Sequence, residues 1–580
     1  MEYQLIAPRI PQYRELSAVE RVLTNRGIPL QNIKHYLHTT NEDILDPKLL
    51  DNIEKGAKML VKHIANKDKT LVVVDCDCDG FTSSALLLNY LNKLFPGFIS
   101  NQVDYFIHEG KAHGIEEFNG LEEYKLIICP DSSSNQFELH QELFKKGIDV
   151  LVLDHHEADH VSEYACIINN QLSDYPTKSL AGVGITYKFC SYIDELLGTS
   201  YANDLVDLIS LGCIADMMEL KEFETRHLVV SGINNVNNPF FKGMIDKQAF
   251  SLKDGLTPFG IAFYIAPYVN ATIRVGTLEE KRLLFESMLD FKGYELIPST
   301  KRGCKGQDET KVEQACRNCT NIKNRQTKAR DASLEKIESM IKKDNLLDNK
   351  ILVVRIENAE KAMADITGLI ANQLMDTYKR PVLLLRNTPL GWEGSARTVG
   401  GSVMENFKDF LKESNLFEYC EGHQGAFGCG ITNENLEQFI VYSNDYLKNT
   451  DFSPIHKVDF IYENKYLKEN EILELAGYEE VWGRGVEEPL VAIENIIIKK
   501  DDIMLMSADR NPTLKIRLSD NCYAIKFRSS KEEYENLCSE LGCVNINIVG
   551  KCKRNIWNGN ITPQIQIEDY EIVYKQDYYF

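Results

Sequence analysis

A chain of 580 residues exceeds what one hydrophobic core organises, so several domains of about 100–200 residues are expected. Its apolar fraction of 43% and charged fraction of 26% are those of a soluble globular protein, and no apolar run approaches the ~18–20 residues that span a bilayer. The net charge of −21 argues against broad, charge-driven binding of nucleic acid, because affinity for phosphate comes largely from Lys and Arg. Any contact with phosphate must rest on a local channel or on bound metal.

In chain order, residues 1–68 read as an amphipathic helical extension with a polar joint near Thr39-Thr40-Asn41. The stretch Met1 to Pro8 lacks the basic-then-apolar pattern of a signal peptide, so the expected location is cytoplasmic and the 15 scattered cysteines are expected to be reduced. The pattern then changes. Thr70 to Val74, Leu126 to Cys129 and Val150 to Leu153 are short β-branched or apolar runs, the signature of buried parallel strands. Helical stretches separate them, including Ser83–Leu94, and the apolar helix Leu205–Ile214 follows. Alternating strands and helices predict a doubly wound α/β domain, here residues 69–305. Residues 306–345 are a connector whose run Lys311–Lys343, without Pro or Gly, predicts one helix about 50 Å long. Residues 346–455 return to alternating strands and helices as a second α/β module, and 456–580 read as an all-β domain. Its predicted strands are Val491–Ile498, Leu514–Leu518, Tyr523–Phe527, Val544–Lys551 and Pro563–Ile567.

In doubly wound sheets ligands bind beyond the carboxyl ends of the strands. Here those ends carry acid or imidazole: Asp75-Cys-Asp77-Cys-Asp79-Gly80, then Pro130-Asp131, then Asp154-His155-His156. Asp216 follows the apolar helix. If the first cluster is extended, its three carboxylates share one side while Cys76 and Cys78 face the core. A single Asp after a strand is often only a helix cap, but four such clusters in one domain are hard to explain that way. Crowded carboxylates repel and need neutralising. Oxygen ligands with an imidazole suit Mn²⁺ or Mg²⁺, and two such ions about 3.5–4 Å apart would activate water and stabilise a phosphoryl transition state.

These residues resemble the four ordered motifs of the DHH phosphoesterases. Further segments are similar to the RecJ-type members: Lys178 to Gly184, Pro267-x-x-Asn270-x-x-x-Arg274, Gly394-Ser-Ala-Arg397, Gly422-His423-x-x-Ala426-x-Gly428, Gly483-x-Gly485 and Trp557-Asn-Gly559. The resemblance implies a DHH catalytic domain, a DHH-associated domain and a C-terminal OB-fold. It implies Asp75, Asp77, Asp79, Asp131, His155 and Asp216 as metal ligands, with Asp131 bridging two ions. Asp154 would sit behind the ligands, and His156 would face the scissile phosphate or protonate the leaving group. Asn270, Arg274, Ser395, Arg397 and His423 would hold substrate phosphates. Two departures stand out. Glu421 replaces a glycine beside His423, and the segment 105–111 lacks the family's arginine for the 5′ end, leaving His108 or Lys111 to substitute.

An OB-fold binds single strands through basic and stacking side chains, for which Lys515, Lys526 and Trp557 are candidates, with Arg517, Arg528, Lys551, Lys553 and Arg554 beside them. Cys304, Cys316 and Cys319 include one C-x-x-C, but without a fourth ligand they are not expected to bind zinc. The expected activity is a metal-dependent 5′→3′ exonuclease on single-stranded DNA. RNA as substrate stays open, as does a replication or repair protein partner. The alternatives are a phosphodiesterase for short oligoribonucleotides or cyclic dinucleotides, and a non-catalytic scaffold.

Overall fold

The structure is a computed structural model that describes residues 1–6, 13–110, 112–116, 120–253, 255–357, 366–389, 391–400, 402–404, 406–507, 511–539 and 542–577. It divides into two compact units. One comprises residues 31–325 with 480–487; the other comprises 1–30, 326–479 and 488–580.

The first unit is built on a five-stranded, all-parallel sheet. Across the sheet the strands run Val103–Ile107, Thr70–Val74, Leu126–Pro130, Asp149–Asp154 and Cys166–Asn169. The three predicted strands are present, and Val103–Ile107 and Cys166–Asn169 join them. Thr70–Val74 and Leu126–Pro130 are buried along their whole length, which is why they read as unbroken apolar runs. The chain leaves Thr70–Val74 for a neighbour on one side and then crosses to the other. The sheet therefore reverses its winding between Thr70–Val74 and Leu126–Pro130, the place where such folds open a crevice.

The helix after the first strand runs Cys78–Leu94, five residues earlier than Ser83. The Asp-Cys-Asp run is thus not extended throughout: Asp77 caps the helix by accepting from the Gly80 N–H at 3.0 Å, and Asp79 lies in its first turn. Cys78 is buried as expected, whereas Cys76 is only partly buried. The helix Val206–Ala215 is buried over nearly all its surface and ends on Asp216.

The helix Lys311–Lys343 has the predicted bounds and carries the chain from the first unit into the second. Cys316 and Cys319 lie buried on it, and among the described residues neither they nor Cys304 belong to a cluster able to hold a metal. In the second unit a five-stranded mixed sheet runs Phe417–His423, Ala426–Ile431, Gly391–Arg397, Val382–Thr388 and Leu352–Ile356. A separate seven-stranded sheet forms the all-β part. There the two predicted strands near 544 and 563 are the arms of one long hairpin, Gly542–Trp557 and Asn560–Asp577. The N-terminal segment, read as helical, opens on the strand Glu2–Leu5, which pairs in parallel with Ile455–Val458. Among the described residues, no helix is long and apolar enough to cross a membrane.

One core residue carries a stability signature. His140, on the helix Phe137–Lys145, is fully buried, and neither ring nitrogen has a hydrogen-bond partner. Burial pushes its imidazole down from 6.5 to about 4. The unfolded chain therefore takes up the proton first, and stability present above pH 6.5 is lost as the pH falls towards 4. At full protonation the loss is roughly 3 kcal/mol. A His140→Leu variant should lose less stability than wild type between pH 6.5 and 4 in thermal melts of both proteins. Parallel pH dependence in the two would contradict this.

Candidate metal centre

The sheet's winding brings the four sequence clusters together beyond the carboxyl ends of its three central strands. Asp131 follows Leu126–Pro130 and turns the chain with a left-handed φ of +65°, its N–H bonded to the Leu153 carbonyl at 2.7 Å. That conformation costs roughly 1–2 kcal/mol in a residue with a side chain, and such strain gathers at functional sites. Asp131 is 1% exposed, and neither of its carboxylate oxygens has a hydrogen-bond partner. His155 is buried beside it, its Nε2 also without a hydrogen-bond partner. That nitrogen stands 3.3 Å from Asp131 Oδ1, 3.5 Å from Asp216 Oδ2 and 3.8 Å from Asp79 Oδ2. Asp75, Asp77 and Asp131 form a second group whose donor atoms all lie within 4.8 Å of one another.

The remaining members are held by the backbone. Asp79 accepts from the N–H groups of Gly182 and Val183, at 2.6 and 3.1 Å, at the N-terminus of the helix Gly182–Leu197. This explains the Lys178–Gly184 segment. Asp154 accepts from the backbone of Ser134 and His155, at 3.1 and 2.8 Å, and from His156 Nδ1 at 2.8 Å. It therefore stands behind the cluster and fixes the His156 ring, whose side chain is 54% exposed.

The electrostatics follow from burial. Burial, and after it Asp79, Asp77 and Asp75, pushes the Asp131 carboxyl well above the usual range. Asp77 and Asp79 are raised for the same first reason, and Asp216 is pushed up to about 8. His155 is pushed down to about 4, first by burial and then by the charge of His156. His156 is the opposite case: its bond to Asp154 holds it up to about 9. Burial alone would raise Asp154, but the bond to His156 and that ring's charge hold it below the carboxylate range. An ionised, unpartnered carboxylate at Asp131 costs several kcal/mol. A divalent cation removes that cost, and four or more carboxylates with one imidazole are the donor set that oxygen-preferring divalent ions take. The residues fit such a group.

One neighbour was not legible in the sequence. His113, on the loop after Val103–Ile107, places Nδ1 2.8 Å from Asp75 Oδ2, and the Gly114 N–H donates to Asp75 Oδ1 at 3.1 Å. His108 does not take the place of the missing arginine. It is 1% exposed, and its Nε2 lies 2.9 Å from the Gly114 carbonyl, inside the loop. Lys111 lies outside the described residues.

Asn270 and Arg274 lie on the helix Ala266–Val275, which packs on the helices Cys78–Leu94 and Val206–Ala215. Arg274 is exposed, and Asn270 Oδ1 is buried without a hydrogen-bond partner. In the second unit, register assembles the other candidates. Arg397 and His423 both pair with Ala426, and Ser395 and Glu421 both pair with Gly428. Cross-strand partners share a face, so Arg397, His423, Ser395 and Glu421 lie together on one face. Thr367 and Gly368, at the start of the helix Thr367–Tyr378, abut it: Thr367 Oγ1 is 3.1 Å from Ser395 Oγ. A Cβ on Gly368 would stand 2.6 Å from the Arg397 guanidinium.

The all-β candidates divide. Lys526 is paired with Glu533 at 2.9 Å, Arg517 with Asp502 at 2.5 Å, and Lys551 and Lys553 both with Glu488. Carboxylates thus already occupy these side chains. Lys515 stacks over the Tyr523 ring at 4.0 Å, beside a cavity of about 690 Å³. Trp557 is 72% exposed at the hairpin tip.

This fold and site define a DHH phosphoesterase. Residues 69–213 match the model of the DHH family N-terminal domain, and 458–569 match that of the RecJ OB domain. The chain is 38% identical over 584 residues to YorK of Bacillus subtilis (strain 168), named for a prophage-derived single-strand DNA-specific exonuclease; the match covers 99% of this chain and 98% of YorK. It is 25% identical over 586 residues to the single-stranded-DNA-specific exonuclease RecJ of the same strain, covering 95% of this chain and 67% of RecJ. Its fold matches RecJ from Thermus thermophilus, solved in complex with Mn²⁺, with a TM-score of 0.69 at 19% identity, covering 99% of this chain and 80% of that one. The chain belongs to the RecJ-type branch of the DHH family of single-stranded-DNA-specific exonucleases.

The packing of the centre yields a test. A Cβ on Gly182 would stand 2.5 Å from Asp131 Oδ1 and 2.8 Å from its Cα. Gly182→Ala should cost about 1–3 kcal/mol through overpacking and weaken Mn²⁺ binding at least about tenfold, as loss of a supporting contact does. Gly97→Ala, with nothing within 4 Å, is the control and should match wild type. Calorimetric titration of both variants, with circular dichroism as the check on folding, measures the difference.

Proposed function

We propose that this chain is a metal-dependent exonuclease that degrades single-stranded DNA from the 5′ end and releases mononucleotides. The observation that carries the reading is Asp131, a fully buried carboxylate with both oxygens unsatisfied, ringed by Asp75, Asp77, Asp79, His155 and Asp216. These residues would hold two divalent cations, Mn²⁺ or Mg²⁺; Asp131 belongs to two of the donor groups, one with Asp75 and Asp77 and one with His155 and His156. Such ions supply positive charge at the phosphoryl oxygens and acidify the attacking water.

The chain's own groups do the rest. His155 Nε2, kept neutral by burial, offers its lone pair to the centre. His156 is anchored through Nδ1 by Asp154, which leaves its Nε2 edge to face substrate. As a protonated ring it hydrogen-bonds a phosphate oxygen or delivers a proton to the departing oxygen. Arg397, His423 and Ser395, with the start of the helix Thr367–Tyr378, form a cradle suited to backbone phosphates. Glu421 on the same face reduces its positive charge and favours loose, sliding contact over tight capture. Lys515 with Tyr523, and Trp557, are the all-β side chains suited to bases of an unpaired strand.

The test is digestion of 5′- and 3′-labelled oligonucleotides, DNA and RNA, with Mn²⁺, Mg²⁺ or chelator. Labelled mononucleotide should leave the DNA 5′ end at once, chelator should abolish release, and Asp77→Ala should bind strands without cutting them. Cleavage of dinucleotides but not of long strands would replace this reading with that of a small-substrate phosphodiesterase. Cleavage of neither would leave a scaffold.

A further inference from the structure

Beside the centre lies a donor cluster of which the proposed chemistry uses Asp75 alone. Cys76 follows Asp75 directly, and the loop carrying His113 folds over both. The Cys76 sulfur is 3.8 Å from His113 Nδ1 and 3.7 Å from Nε2, while Nδ1 is 2.8 Å from Asp75 Oδ2. All three residues offer a ligand atom within 4.8 Å of the others. Tetrahedral zinc, with Zn–S about 2.3 Å and Zn–N or Zn–O about 2.0–2.1 Å, separates its ligands by roughly 3.3–3.6 Å. The sulfur-to-Nδ1 separation of 3.8 Å is slightly longer than this range and the Nδ1-to-Oδ2 separation of 2.8 Å is shorter, so an ion would draw the sulfur in and move the ring away from Asp75.

The loop that presents His113 is firmly rooted. Gly114 has a left-handed φ of +63°, and a Cβ there would stand 2.4 Å from Gln136 Oε1. The buried Lys281 ammonium bonds the carbonyls of His108 and Glu109 at 3.1 and 2.7 Å. The His113 side chain is nevertheless 66% exposed, so an ion can reach it from solvent.

We propose that Asp75, Cys76 and His113 form a separate site for a borderline-soft cation such as Zn²⁺, with the fourth position open to water. Thiolate and imidazole select zinc over Mg²⁺ or Mn²⁺, which favour oxygen. Binding replaces the hydrogen bond between His113 Nδ1 and Asp75 Oδ2, and the proton of that bond leaves together with the Cys76 thiol proton. Asp75 belongs both to this cluster and to the group with Asp77 and Asp131. Zinc at the outer site therefore competes for a carboxylate of the inner one and inhibits the nuclease. Zinc capture stands without the nuclease reading; the inhibition rests on it.

The experiment is a Co²⁺ titration of the full chain, following the thiolate-to-cobalt charge-transfer absorption in the near ultraviolet. Wild type should show a band that grows to saturation with added Co²⁺ and that Zn²⁺ displaces. C76S should abolish it, and His113→Phe should weaken cobalt binding at least about tenfold. Asp131→Asn should keep the band while losing cleavage, which separates the two sites. No band in wild type, an unchanged band in C76S, or its loss in a folded Asp131→Asn variant would overturn the proposal.

Discussion

The structure turns on one unfavourable placement: the Asp131 carboxylate is buried, unpartnered and surrounded by like charge. Alone it would be driven to its neutral form, and the cluster would be a defect that costs stability. Everything packed around it makes sense only if a cation is to be received. The strained turn at Asp131 aims the carboxylate, the helix start at Gly182 holds Asp79, and Asp154 locks His156. The residues that touch the centre are thus fixed by partners pointing away from it, leaving their remaining lone pairs free to converge.

Close approach explains the glycines. Gly80 leaves 2.5 Å between a hypothetical Cβ and the Asp75 side chain, and Gly212 leaves 2.6 Å to Asp79 Oδ1. Any larger side chain would intrude among the carboxylates. The global charge of −21 and the function in nucleic-acid chemistry are compatible for a related reason. Positive charge is needed only where phosphate sits, and many surface lysines and arginines of the all-β part are already matched to carboxylates.

Much of the centre was legible in the sequence because its strands are unbroken apolar runs, and each ends abruptly on acid or imidazole. The strand Val103–Ile107 was not, because it lies at the sheet edge and carries an exposed Asp104 among its apolar residues. The helix start at Cys78 was hidden because Asp-Cys-Asp alternates as an extended segment would, and only the capping bond of Asp77 shows otherwise. His113 meets Asp75 across 38 residues, a pairing that no local pattern encodes. Two engaged lysines of the all-β part escaped for the same reason: Lys551 and Lys553 meet Glu488 more than 60 residues away in the chain.

The most direct test of the account is the stoichiometry of Mn²⁺ binding to the full chain, measured by calorimetry. Two ions per wild-type chain are predicted. Asp131→Asn should lose at least about 100-fold in affinity, more than an outer-shell residue would cost. No binding by wild type, or the same binding by Asp131→Asn, would contradict the central claim that the buried carboxylate is there to receive a cation.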